Sequence, residues 1–226
     1  MKYNSIYCAL DTKDVEQALE IGNQIKKYVG GIKVGLEFFT ANGPDGIKKL
    51  SQLSLPIFLD LKLFDIPNTI ENTIESLKNL SIKYLSIHLL NGKETLLRAR
   101  KTVEQTSIKL LGVSILTSMN QKNINEIGFT KSLENHVEAL AKLAAETKIH
   151  GIICSPQDIK KIKNICDGME IVTPGIRTEK VANDDQKRIM TAKEALNEGA
   201  TILIIGRPIT EGNVEHNIKK IISSLN

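Results

Sequence analysis

The chain has 226 residues, 41% apolar and 25% charged, with a formal net charge of +4. That length fits one domain, residues 1–226, with a substantial core. The mixed charge signs leave no basic arm of the kind that binds nucleic acid. A mildly basic balance suits an anionic small substrate, although many proteins without one share it. Cys8, Cys154 and Cys166 are odd in number and lack C-x-x-C spacing, which argues against a disulfide framework or a zinc knuckle. No apolar run approaches the roughly 20 residues needed to span a bilayer. The opening MKYNSIYCALD lacks a signal-peptide core, so a cytoplasmic location without membrane association is expected.

Short apolar runs alternate with helix-period segments from end to end. Ile6–Leu10 is the first expected strand, followed by a helix with Val15, Ala18, Leu19, Gly22 and Ile25 on one face. Ile32–Val34 is the second strand, and a less regular helical stretch covers 36–53. Ile57–Leu61 is the third strand, and Pro67 suits the first position of the next helix. Tyr84–Leu89 is the fourth strand, followed by a helix over 93–104, and Lys109–Leu116 is the fifth. The stretch 132–147 is the clearest helix, with Ser132 as N-cap and Leu133, Val137, Leu140 and Ala144 sharing a face. Ile149–Cys154, Glu170–Thr173 and Thr201–Ile205 complete the strands. Short helices fall near 157–163 and 191–197, and a last one carries Val214, Ile218, Ile221 and Leu225.

Eight strand–helix units without a linker indicate a parallel sheet covered by helices. The expectation is an α/β fold, a single (β/α)8 TIM barrel. An open doubly wound sheet is the rival, but neither its G-x-G-x-x-G fingerprint nor a P-loop is present.

Chemistry in such a barrel gathers at the C-terminal strand ends. The polar residues expected there are Asp11, Lys33, Asp60, Lys62, Ser114, Thr117, Pro174, Arg177, Gly206 and Arg207, with Asp65 just beyond. Asp60 and Lys62 are two apart on a strand and so project to one side. A buried charge must be paired or used. These residues are therefore either a structural ion pair, with Asp65 helping to start a helix, or a reactive centre. Gly206-Arg207-Pro208 before a helix suits a phosphate, through backbone N–H groups and a guanidinium fork. A tight turn with a solvated Arg207 is the alternative. The polar loop 177–188, with Arg177 and Gln186 near its ends, is either a lid over an anion or a plain surface loop. His88, His136, His150 and His216 have no metal-ligand spacing, and no metal is expected.

The segment D-x-K-x-x-D-I-P-N-T, Asp60 to Thr69, resembles the signature of the orotidine 5′-phosphate decarboxylase family. The resemblance extends over nearly the whole chain. It includes Ala9–Asp11, Lys33–Gly35, Leu116–Ser118, Thr173–Arg177, the Asp185-Gln186 pair and Gly206–Thr210. Leu89-Leu90-Asn91-Gly92 depart from the small residues that many members carry after the strand-four histidine.

The resemblance implies a cofactor-free enzyme acting on orotidine 5′-monophosphate. Asp11 and Lys33 would bind the ribose. Lys33, Asp60, Lys62 and Asp65 would form an alternating charged array, with Lys62 stabilising the carbanion at C6 and then protonating it. Thr117 would meet the pyrimidine, and Pro174 would be among the substrate-binding residues. Arg177, Gln186, Gly206 and Arg207 would serve the phosphate. It further implies a homodimer in which Asp65 and Thr69 enter the partner's site. Two rivals remain: a metal-dependent sugar-phosphate decarboxylase or aldolase on a related barrel, and a non-catalytic nucleotide-binding barrel.

Overall fold

The eight apolar runs are parallel strands because each is returned to the sheet by a helical crossover. The computed structural model describes residues 2–177 and 189–225. The strands are β1 (Ile6–Ala9), β2 (Gly31–Gly35), β3 (Ile57–Leu63), β4 (Tyr84–His88), β5 (Lys109–Val113), β6 (Gly151–Ile153), β7 (Glu170–Thr173) and β8 (Ile202–Ile205). They pair in sequence order, and β8 closes on β1 with Ile6 beside Leu203. The expected barrel is therefore the observed one.

The helices are α1 (Val15–Ile25), α2 (Leu36–Leu50), α3 (Pro67–Leu77), α4 (Gly92–Thr102), α5 (Gln121–Glu126), α6 (Leu133–Glu146), α7 (Ile159–Ile162), α8 (Ala192–Glu198), α9 (Arg207–Thr210) and α10 (Val214–Ser224). Their starts follow local chemistry. The Asp14 carboxylate accepts from the N–H groups of Glu16 and Gln17 at the head of α1. Ser132 caps α6, and Thr191 with Glu194 forms a reciprocal capping box on α8. The irregularity of α2 has a cause: Gly43 takes φ 57° immediately before Pro44, which interrupts the helical ladder. Helices α5 and α9 do not appear among the sequence expectations. Each buries a single residue, Ile124 or Ile209, so neither shows an apolar stripe.

Period-two alternation divides the strand residues between two cores. Ile6, Cys8, Leu59, Leu85 and Ile87 pack outward against the helices. Tyr7, Ala9, Phe58, Tyr84, Val113, Val172 and Ile204 fill the barrel interior. Tyr84 meets Tyr7 and Phe58 edge-on, with centroids 5.8 and 6.3 Å away. The Tyr84 hydroxyl donates to Glu170, whose other oxygen accepts from Thr201 at 2.7 Å. Burial, reinforced by Glu170, pushes the Tyr7 phenol up to about 12, so it stays a neutral packing group. This aromatic layer forms the floor on which the polar mouth stands.

The strand bounds differ from expectation at β5, which ends at Val113 rather than Leu116, at β6, which spans Gly151–Ile153 rather than Ile149–Cys154, and at β3, which runs to Leu63 rather than Leu61. Its pairing with β4 is irregular there. Leu59 sits opposite Leu85, but Leu63 sits opposite Ile87. Three β3 residues, Asp60, Leu61 and Lys62, thus oppose the single β4 residue Ser86, which is a β-bulge.

Candidate active site

The C-terminal strand ends open into a cavity of about 760 Å³, within the range of small-molecule sites. Asp11, Lys33, Asp60, Lys62, Thr117, Pro174, Arg177, Gly206 and Arg207 all line it. The structure therefore gathers nine of the sequence-designated residues from distant parts of the chain. Two others do not join them. Asp65 and Thr69 are exposed and lie outside this wall. Gln186, with the rest of 178–188, lies outside the described residues.

At the centre is an ion-pair chain. The Lys33 Nζ donates to Asp11 Oδ1 at 2.9 Å and lies 3.9 Å from Asp60 Oδ2. The Lys62 Nζ donates to that same Asp60 oxygen at 2.7 Å. The Asp60 side chain is only 10% exposed, and a carboxylate so buried requires compensation. Burial pushes its carboxyl up. The Lys62 and Lys33 ammonium groups oppose this, as do hydrogen bonds from Lys62 and the Ser86 hydroxyl. The net result is a carboxyl held below the usual range, and hence ionised.

The backbone follows the same centre. Lys62 takes φ 49°, a left-handed conformation that costs a non-glycine residue about 1–3 kcal/mol. It falls inside the β3 bulge, and bulges commonly re-aim a side chain beside an active site. Leu59, Leu61 and Leu63 occupy the opposite side, as alternation predicts, and pack on the outer core.

Neighbouring contacts shape the rim. Asn91 Nδ2 donates to the carbonyls of Leu63 and His88, both at 2.8 Å. Asn91 Oδ1 accepts from the Asp65 N–H at 3.1 Å. The segment that departs from the family pattern therefore ties the turn after β3 to the end of β4. The Asp65 carboxylate accepts from the Ile66 N–H at 2.7 Å. His88 packs beside the Phe64 ring, and its Nδ1 accepts from the Leu90 N–H. Burial, aided by Lys62, pushes the imidazole below its ordinary value, so it is neutral at pH 7.

Ser114 is not a site residue: its hydroxyl is buried and donates to the Ile153 carbonyl. Sequence reasoning missed Ser86 and Asn91, as well as Thr12, Gln17, Thr210 and Glu211, which line the β1–β8 side of the cavity. Thr210 lies in the noticed Gly206–Thr210 stretch, but nothing in its residue type singled it out. Among the described residues, no group of three or more His, Cys, Asp or Glu is placed to hold a metal ion.

Comparison with known proteins agrees with this geometry. The family model described as orotidine 5′-phosphate decarboxylase / HUMPS family matches residues 4–221. The chain belongs to this family. An orotidine 5′-phosphate decarboxylase of Wolbachia pipientis subsp. Culex pipiens is 43% identical, with 98% of this chain and 99% of that protein covered. The same enzyme from Dictyoglomus thermophilum is 42% identical over 99% of this chain and 95% of its own. Among solved structures, the Lactobacillus acidophilus enzyme superposes with a TM-score of 0.84 at 33% identity, covering 98% of both chains. That of Methanocaldococcus jannaschii, complexed with an inhibitor, BMP, gives 0.80 at 25% identity, also covering 98% of both chains. As a decarboxylase-family barrel, the chain carries its charged centre where enzymes of this fold place their chemistry.

The low Asp60 value has a consequence for stability. A carboxyl held below its ordinary value near 3.9 stabilises the fold above that pH, and the contribution is lost as pH falls through the folded value. Urea unfolding at pH 7 and pH 3 is therefore expected to show a smaller loss of stability on acidification in Asp60→Asn than in the wild type.

Proposed function

We propose that this chain converts orotidine 5′-monophosphate to uridine 5′-monophosphate (UMP) and CO2 without a cofactor, closing de novo pyrimidine nucleotide synthesis. The observation that carries this reading is the chain Asp11–Lys33–Asp60–Lys62 on one wall of a nucleotide-sized cavity. The family and its curated relatives support it. So does the inhibitor-bound relative from Methanocaldococcus jannaschii.

The chemistry demands such a wall. When the C6–carboxylate bond breaks, the electron pair stays on C6 in an orbital that the ring π-system does not delocalise. Fixed positive charge must stabilise it. The Lys62 ammonium supplies that charge and then transfers a proton to C6, leaving a neutral amine that regains its proton from solvent. Asp60 faces the substrate carboxylate. Two such charges about 4 Å apart repel by about 4 kcal/mol at an effective dielectric near 20. The repulsion disappears as neutral CO2 leaves. Lys33 and Asp11 meet the ribose hydroxyls, Thr117 and Pro174 border the pyrimidine, and Gly206, Arg207, Arg177 and Gln186 take the phosphate. Binding energy from the phosphate end then supports a reaction at a distant atom.

The working unit is a homodimer. Leu36, Phe64 and Ile66 are 57, 64 and 66% exposed and follow the C-terminal ends of the adjacent strands β2 and β3. Large apolar side chains grouped in this way mark an interaction surface. A second copy docked there would receive Asp65 and Thr69 in its own cavity, which accounts for their absence from this one. No helix among the described residues is long and apolar enough to cross a membrane. A cytoplasmic location is part of the same proposal.

Incubation with orotidine 5′-monophosphate is expected to give the absorbance loss of conversion to UMP, unchanged by a chelator. Loss of activity on chelation would favour the metal-dependent sugar-phosphate rival, and tight UMP binding without turnover would favour the non-catalytic barrel. Lys62→Ala is expected to fold and to lose at least about a thousandfold in kcat. Mixing inactive Lys62→Ala with inactive Asp65→Ala subunits is expected to restore on the order of a quarter of wild-type activity, because half of the random dimers contain one intact site. No recovery would separate Asp65 from the shared site.

A further inference from the structure

Ser86 faces the barrel interior one layer above Tyr84 and is fully buried. It is the one β4 residue opposite the three-residue bulge of β3. Its hydroxyl makes two contacts of opposite sense. The Oγ accepts from the Lys62 backbone N–H at 2.7 Å, and it donates to Asp60 Oδ1 at 2.8 Å. A serine hydroxyl has a single proton, so this pattern fixes its orientation. Asp60 must present a lone pair to receive it. The other Asp60 oxygen is left to Lys62 Nζ and Lys33 Nζ. One buried hydroxyl thus joins the carboxylate of the charged array to the peptide that carries its lysine, at the point where that peptide turns left-handed.

We propose that Ser86 is a positioning residue for decarboxylation, locking the β3 bulge so that the Lys62 ammonium and the Asp60 carboxylate are held in one fixed geometry. The proposal rests on the decarboxylase reading above and assigns a role outside the charged array itself. The physical need is specific. A left-handed lysine persists only where its surroundings over-determine it. The bulge interrupts the ordinary β3–β4 ladder, so a side chain takes over the task of a ladder partner. A small displacement of Lys62 matters because its proton must travel to one carbon atom. Serine is short enough to fit between the strands and offers both a donor and an acceptor.

The groups facing Asp60 are Lys62 on its own strand, Lys33 from β2 and Ser86 from β4. Asp11 from β1 reaches it through Lys33, and His88 from β4 lies near Lys62. Of these, Ser86 alone contacts both Asp60 and the Lys62 backbone.

The test uses the full-length enzyme with Ser86→Ala and Ser86→Cys. Alanine removes both contacts, whereas cysteine keeps the shape with a weaker donor. Ser86→Ala is expected to lower kcat by about ten- to a hundredfold while changing the Kd for UMP less than about threefold, since the phosphate and ribose contacts are untouched. Its kcat/KM acid limb is expected to move to higher pH, because Asp60 loses a bond to its ionised form. Ser86→Cys is expected to fall between alanine and wild type, and it carries the test if the alanine variant fails to fold. A kcat within about twofold of wild type would overturn the proposal, as would parallel losses of kcat and UMP affinity with an unmoved acid limb. If the wild type itself shows no turnover, the functional reading fails. Carboxyl NMR titration of Asp60 then decides the bridge separately: an upward shift in Ser86→Ala supports it and an unchanged value overturns it.

Discussion

A carboxylate buried beneath a nucleotide-sized cavity, held ionised between two ammonium groups, is the constraint on which this structure depends. Isolated, the Asp60 charge would be too costly to bury. Its proximity to Lys62 and Lys33 and the bond from Ser86 make it tolerable, and together they demand that β2, β3 and β4 meet in one register. The barrel supplies the register. Its outer core of aliphatic side chains and its aromatic floor of Tyr7, Phe58 and Tyr84 hold the strands while the mouth stays polar. Fold and reactivity are thus joined at the third strand, where a bulge and a left-handed lysine interrupt regular pairing. Local strain at such a place is sustained by the packed structure below it.

On the proposed reading, decarboxylation is a problem of charge placement, and the chain Asp11–Lys33–Asp60–Lys62 bears on it. The Lys62 side chain is about a third exposed on the cavity wall, whereas those of Asp60 and Lys33 are only 10 and 11% exposed. The proton donor of the proposed reaction thus has the more open position, and the groups proposed to orient it the more shielded ones. Shielding strengthens their interactions by lowering the local dielectric. The apolar residues beside the mouth extend the same design outward, since a second copy seated there would cover the open side and bring Asp65 to the array.

Much of this was legible in the sequence, for physical reasons. Continuous apolar strands between amphipathic helices identify a parallel barrel, and strand alternation places Asp60 and Lys62 on one side with Leu59, Leu61 and Leu63 on the other. Glycine and arginine after the last strand also fall where expected. What alternation cannot show is a departure from itself. The bulge leaves no mark in residue type, because a lysine in a left-handed conformation looks like any other lysine. Ser86 reads as an unremarkable small residue in an apolar run until the β3 backbone beside it is known. Asn91 lay in a stretch noticed only for departing from the family pattern, yet it ties the turn carrying Asp65 to β4. Asp65 and Thr69 show the complementary limit: they lie outside the cavity of their own chain, and a role in a second copy's cavity is not legible from one chain.

The most direct measurement of the central claim is a crystal structure of the protein with UMP bound. The account predicts the Lys62 Nζ within about 3.5 Å of C6, a near-attack distance. It also predicts the Asp65 carboxylate of a second subunit beside Lys62 in the same cavity. UMP bound with C6 turned away from Lys62, or Asp65 remote from any neighbouring cavity, would contradict it.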